Sequence, residues 1–328
     1  MRSRIVGAVL VVAALAGAGL VAVQLHGSAP ATAPEPAPVD YVALGDSFSA
    51  GPLVPDARSD PAGCFRSTNN YPAYLAGYLG VRTYRDVTCS GARTRDFLRP
   101  QQLPFGQATP PQLDALSAGT DLVTVGIGGN DFGLFGSLVG TCAALRDRDP
   151  GGAPCRQSFI RRIGGRQVDT RLRDARRVED HVARALRAVA RRAPDAEVYL
   201  VGYPRLLPDR GRCVAVPFAA GDYTWGGRVA RQLNASLRGA ADRAGATFVD
   251  LYPASRGHDA CAGPQAWLNG SEALLGLAAG FHPFQAGMRG MARKVYDAVM
   301  GDPAPREAGA DAEPPPGSAV RNPHPDAG

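Results

Sequence analysis

Lysine is almost missing from this chain: of its 36 basic side chains only Lys294 is a lysine, and the rest are arginine. That skew looks like the coding bias of a GC-rich genome and carries no chemistry of its own. Strong charge of one sign is missing too. A net charge of +6 on 328 residues, 20% of them charged, gives no electrostatic reason to expect a nucleic acid as partner. No Cys-x-x-Cys pair occurs among the six cysteines, which weakens a zinc-ribbon reading. The glycine-rich fingerprints of dinucleotide and nucleotide cradles are absent, so a phosphate-binding role for Gly126–Gly129 is not expected. The Gly-x-Ser-x-Gly elbow of the usual α/β-hydrolases is absent as well. What remains is ample material for a core, because 45% of the residues are hydrophobic, far more than a disordered chain carries.

Both ends differ from the middle. Met1–Arg4 carries Arg2 and Arg4, Ile5–Val23 is an uncharged apolar run, and Ala29-Pro30-Ala31 fits a small-residue cleavage pattern. Residues 1–31 therefore read as a secretory signal peptide. The alternative is an uncleaved anchor, since 19 residues at ~1.5 Å each nearly span a bilayer core. Residues 32–39 form a Pro-rich spacer, and 302–328 a Pro/Ala/Gly/Asp tail without apolar periodicity; both compositions predict disorder. Export makes an even set of cysteines a disulfide framework. Fifteen pairings of Cys64, Cys89, Cys142, Cys155, Cys213 and Cys261 satisfy that arithmetic, and spacing does not choose among them.

Between 40 and 301, short apolar runs alternate with helical patterns. Tyr41–Leu44, Asp121–Val125, Glu197–Val201 and Ala246–Asp250 read as buried strands, with Val81–Val87 a weaker fifth. Helices are expected at Tyr71–Leu79, Gln112–Ala118, Arg171–Arg192, Trp225–Ala244 and Pro283–Met300. In Arg171–Arg192 the residues Val178, Val182, Ala185, Leu186 and Val189 share one face, and the arginines read as its solvated side. This alternation predicts one α/β domain with a five-stranded, mainly parallel sheet and right-handed crossovers.

Ligands of such sheets bind beyond the carboxyl ends of the strands. After the first strand comes Gly45-Asp46-Ser47-Phe48-Ser49, where Ser47 either caps a helix or sits as a nucleophile near backbone N–H groups. Ser90-Gly91-Ala92 follows the second strand, and Gly126-Ile127-Gly128-Gly129-Asn130-Asp131 the third. Glycines there allow close approach, and an Asn amide is a neutral donor toward an oxyanion. Near the end lies Phe281-His282-Pro283, with Pro283 suited to the first position of a helix.

Taken in order, these four blocks resemble the SGNH, or GDSL, hydrolase family over about residues 40–300, and the cysteine layout resembles its secreted actinomycete lipases and esterases. The resemblance implies a flavodoxin-like three-layer α/β/α sandwich, the SGNH hydrolase fold. It implies Ser47 as nucleophile and His282 as general base. An oxyanion hole would form from the N–H groups of Ser47 and Gly91 and the amide of Asn130. It further implies sequential disulfides, Cys64–Cys89, Cys142–Cys155 and Cys213–Cys261. Asp46 and Asp131 read as structural residues holding their loops.

One departure stands out. The family's last block is usually Asp-x-x-His, and here position 279 is Ala. The backbone carbonyl of Ala279 is the expected orienter of His282, with Glu272 or Asp259 as weaker candidates. His258 is the rival base, read as a loop residue, and Tyr223, Trp225 and Trp267 are candidates for an acyl pocket. The resemblance implies an exported serine carboxylic-ester hydrolase of lipid or acyl-glycerol esters, without metal or cofactor, monomeric, and meeting its substrate as a small molecule or at a lipid interface or membrane surface. The alternatives are a polysaccharide O-deacetylase on the same site and a non-catalytic cell-surface binding module.

Overall fold

The computed structural model describes residues 39–301. The export segment 1–31, the spacer 32–39 apart from Val39, and the tail 302–328 lie outside the described residues. Five strands form the central sheet: β1 (Asp40–Gly45), β2 (Thr83–Asp86), β3 (Leu122–Gly126), β4 (Glu197–Val201) and β5 (Thr247–Val249). Their spatial order is β2-β1-β3-β4-β5, and every neighbouring pair is parallel. This is the flavodoxin-like order, whose switch point lies between β1 and β3.

The main helices are α1 (Ser47–Ala50), α2 (Tyr71–Leu79), α3 (Leu134–Leu145), α4 (Thr170–Arg192), α5 (Ala220–Ala244) and α6 (Gln285–Met300). Strand side chains alternate between two layers, as the two-residue strand period requires. Tyr41, Ala43 and Val201 pack with Leu75 of α2 and Met288 and Met291 of α6. Val42, Leu44 and Val123 pack with Val178 and Val182 of α4 and Leu237 of α5. Each large aliphatic side chain buried this way contributes about 1.5–3 kcal/mol. The five apolar residues singled out on α4 are all buried, while Arg176, Arg177, Arg184, Arg187, Arg191 and Arg192 are exposed. Asn70 and Asp169 cap α2 and α4 by accepting from Ala73 N and Leu172 N.

Four features differ from the sequence expectation. Gln112–Ala118 forms only a short 3-10 turn, Gln112–Ala115, which ends where Leu116 turns extended. α5 begins at Ala220 rather than Trp225. α3 was not anticipated, its Gly136 and Gly140 giving no clean apolar stripe. A hairpin pairs Ile160–Ile163 with Arg166–Asp169 across Gly164-Gly165, both left-handed at φ 55° and 76°. Disulfides join Cys64–Cys89, Cys142–Cys155 and Cys213–Cys261, leaving no described cysteine free. Among the described residues no helix is long and apolar enough to cross a membrane.

Candidate active site

The chain leaves β1 through a turn that only glycine fits. A Cβ on Gly45 would stand 2.5 Å from Ser49 Oγ and 2.7 Å from the Gly126 carbonyl. The Gln112 side chain closes this strand end, donating to Gly45 O at 2.9 Å and accepting from Gly45 N at 2.8 Å. Asp46 then caps α1 by accepting from Phe48 N at 3.0 Å, so Ser47 becomes the first residue of the helix. Ser47 Oγ lies 2.8 Å from His282 Nε2. The two residues are 235 positions apart in sequence and meet because the loop before α6 folds back onto the end of α1, where Ala279 N donates to Pro52 O at 2.9 Å.

His282 Nδ1 lies 2.7 Å from the carbonyl of Gly280. A carbonyl only accepts, so Nδ1 carries the proton and Nε2 is left to accept from the Ser47 hydroxyl. The expectation that Ala279 supplies this carbonyl is corrected. Phe281 is left-handed at φ 60°, which reverses the chain just before His282 and turns the Gly280 carbonyl toward the ring. The Ala279 carbonyl instead accepts from His282 N and from the Asn269 amide, each at 3.2 Å. Neither acidic candidate reaches the ring: Asp259 accepts from Cys261 N, and Glu272 is exposed. Phe48 and Phe135 lie against the imidazole with ring centroids at 5.2 and 5.5 Å. Desolvation by this burial pushes the His282 pKa below its ordinary 6.5, and the Gly280 hydrogen bond opposes the shift.

The loops after β2 and β3 converge on the same turn. Cys64–Cys89 tethers the first of them, and Ser90 N donates to Cys64 O at 3.0 Å, which fixes the backbone entering Gly91. Gly91 is left-handed at φ 79°. Asn130 donates one amide N–H to Ala92 O at 3.1 Å, which brings its side chain beside Gly91's neighbour. Asp131 accepts from Thr94 N and Thr94 Oγ1 at 3.0 and 2.6 Å and from His181 Nδ1 at 3.2 Å, stitching the two loops together. Among the described residues the N–H groups of Ser47 and Gly91 donate to no protein acceptor.

Like Gln112, a second residue of the site carried no sequence signal. Tyr203, just beyond β4, donates its hydroxyl to Asp46 Oδ2 at 2.5 Å and accepts from Gly129 N at 2.8 Å. It thereby links the turn of Ser47 to the loop of Asn130. A Cβ on Gly129 would press into the Tyr203 ring at 2.9 Å, so that position also requires glycine. Asp46 is fully buried, and desolvation raises its pKa to about 7, although the bonds from Tyr203 and Phe48 N oppose the rise.

Beside this arrangement lies an apolar cavity of about 90 Å³, lined among others by Phe48, Phe135, Tyr203, Leu207, Gly227 and Leu233. None of Tyr223, Trp225 or Trp267 lines it. Tyr223 donates to Val216 O, Trp225 donates to Asp169, and Trp267 stacks on His258 at 4.8 Å. His258 Nδ1 is bonded to Gln265 O and stays away from Ser47. Among the described residues no three His, Cys, Asp or Glu side chains cluster to hold a metal ion.

The family model for GDSL-like lipases and acylhydrolases matches residues 43–289. Lipase 2 of Streptomyces coelicolor is 38% identical over 297 residues, covering 88% of this chain and 95% of its own length. Among solved structures, phospholipase A1 from Streptomyces albidoflavus superposes with a TM-score of 0.64 at 29% identity, covering 80% of this chain and 99% of that one. The extracellular lipase of Streptomyces rimosus superposes with a TM-score of 0.63 at 30% identity, covering 79% and 99%. With its four blocks gathered at one sheet edge and 88% of its length aligned to such a relative, the chain belongs to the GDSL-like lipase/acylhydrolase family, and is a carboxylic-ester hydrolase.

Proposed function

We propose that the protein is an exported serine hydrolase that cleaves lipid or acyl-glycerol esters through an acyl-enzyme on Ser47. The observation that carries this reading is the 2.8 Å approach of Ser47 Oγ to a ring nitrogen of His282 whose other nitrogen is bonded to a carbonyl. His282 Nε2 takes the hydroxyl proton as Oγ attacks the ester carbonyl, and the carbonyl π electrons move onto oxygen. The oxyanion is received by the N–H of Ser47, the N–H of Gly91 and the free amide N–H of Asn130. The imidazolium then protonates the departing alcohol. Water, deprotonated by His282, attacks the acyl-enzyme; the imidazolium returns that proton to Ser47 Oγ as the C–O bond breaks and the acid is released. A backbone carbonyl stabilises the imidazolium less than a carboxylate would, so His282 works here as the base of a Ser–His dyad.

The apolar cavity beside Phe48 and Phe135 suits an acyl chain, which favours lipid esters over the acetylated sugars of an O-deacetylase. The export signal and the Streptomyces rimosus relative, named an extracellular lipase, support action outside the cell. A monomer meeting small-molecule or lipid esters, with no nucleic-acid partner, completes the reading. The test is hydrolysis of p-nitrophenyl acetate, butyrate and palmitate by the native protein and by Ser47→Ala. Activity on the longer esters that vanishes in the variant is expected. Acetate-only activity would favour the deacetylase, and no activity on any ester would favour a binding module.

A further inference from the structure

Next to His282 the chain holds apolar side chains out in water. Leu275 is 86% exposed, Leu277 54% and Leu274 37%, all on the loop that ends at His282. Val214, 95% exposed, lies on the neighbouring loop. The two loops are joined, because Ser271 N donates to Ala215 O at 2.8 Å. Neither is slack. The Val214 loop is anchored by the Cys213–Cys261 disulfide. The leucine loop is closed by paired hydrogen bonds between Leu274 and Ala278, and the buried Asn269 amide donates to the carbonyls of Glu272, Ala278 and Ala279. Ala279 N donates to Pro52 O, which sets the foot of this loop beside the end of α1.

Single exposed apolar side chains are ordinary, but four on two tethered loops, one of which ends at His282, mark an interaction surface. Charge indicates the partner. Arg210 and Arg212, both exposed and without an ion-pair partner among the described residues, lie just before Val214 in the chain, with Glu272 the one acidic group on the leucine loop. Apolar tips bordered by arginines match the acyl boundary and phosphate headgroups of a phospholipid surface.

We propose that Val214, Leu275 and Leu277, with Arg210 and Arg212, form a docking rim that seats the protein on a phospholipid surface with Ser47 facing the lipid. This rests on the lipid-ester reading above. The probe is a vesicle of ether-linked phosphatidylcholine with a minority of phosphatidylglycerol, which offers no ester to cleave, so docking is read separately from hydrolysis. The native protein is expected to cosediment. A Val214→Ser, Leu275→Ser, Leu277→Ser variant should bind about tenfold more weakly while hydrolysing soluble p-nitrophenyl butyrate within about twofold of the native rate. The single variant Leu275→Trp should keep binding and show a blue-shifted emission on vesicles. Native protein that stays in the supernatant, a triple variant that binds as well as native, or an equal loss of soluble-ester hydrolysis would each overturn the docking rim. Failure of the native protein on the soluble ester, with docking intact, would instead remove the hydrolase reading.

Discussion

Replacing Tyr203 by Phe removes one oxygen and leaves the ring in place against Gly129 and Phe48. Two buried groups then lose a partner: Gly129 N–H loses its acceptor and Asp46 Oδ2 its donor. An orphaned neutral group costs about 1–3 kcal/mol, and a hydrogen bond to a charged group contributes about 1.5–3 kcal/mol. The two costs separate by pH. Asp46 has a folded-state pKa of about 7, above the ordinary 3.8, so its contribution to stability is complete below pH 3.8 and is lost as pH rises through 7. In the native protein that rise costs roughly 4 kcal/mol. Without the Tyr203 hydroxyl, the first opposing interaction disappears and the Asp46 pKa moves higher still. Urea unfolding of Tyr203→Phe should therefore show a loss of about 1–3 kcal/mol at pH 5, where Asp46 is protonated, and a loss larger by about 1.5–3 kcal/mol at pH 9. Turnover should fall about tenfold with KM little changed, because Gly129 precedes Asn130 and positions it. A destabilisation that is the same at both pH values, or smaller than about 0.5 kcal/mol, would refute the reasoning.

Three other outcomes are expected. Asn130→Ala should lower kcat about 10²–10³-fold on short and long esters alike, since it removes one of the proposed oxyanion donors and leaves the acyl cavity intact. His282 must be neutral to act as base, and burial holds its pKa below 6.5; the acid limb of kcat/KM should therefore have its midpoint below 6.5, and a midpoint above 7 would contradict the buried geometry. Gly227→Leu, which puts a side chain into the cavity wall on α5, should cut hydrolysis of p-nitrophenyl palmitate about tenfold or more relative to acetate. Equal loss on both esters would place the acyl chain elsewhere.

The strand ends were legible because buried parallel strands read as short apolar runs and ligand loops follow their carboxyl ends. The blocks holding Ser47, Gly91 and Asn130 could therefore be singled out before any coordinates, while the resemblance to the GDSL family supplied their roles and that of His282. The orienting carbonyl was misplaced by one residue, because a left-handed Phe281 has no sequence signature: Phe is a residue rarely found there. Tyr203 and Gln112 were missed for a related reason, since both act through tertiary hydrogen bonds 157 and 67 positions away in sequence, which no local pattern encodes. The Gly164-Gly165 hairpin did carry a signal, a glycine pair between two short segments holding Ile160, Ile163 and Val168. α3 carried none, since its short amphipathic character is broken by glycines.

The most direct measurement is reaction with a fluorophosphonate followed by peptide mass mapping of the native protein, Ser47→Ala and His282→Ala. A single adduct on the Ser47 peptide of the native protein is expected, absent from Ser47→Ala and formed far more slowly in His282→Ala. An adduct on another serine, or labelling of Ser47→Ala at the native rate, would contradict a nucleophile at Ser47 activated by His282.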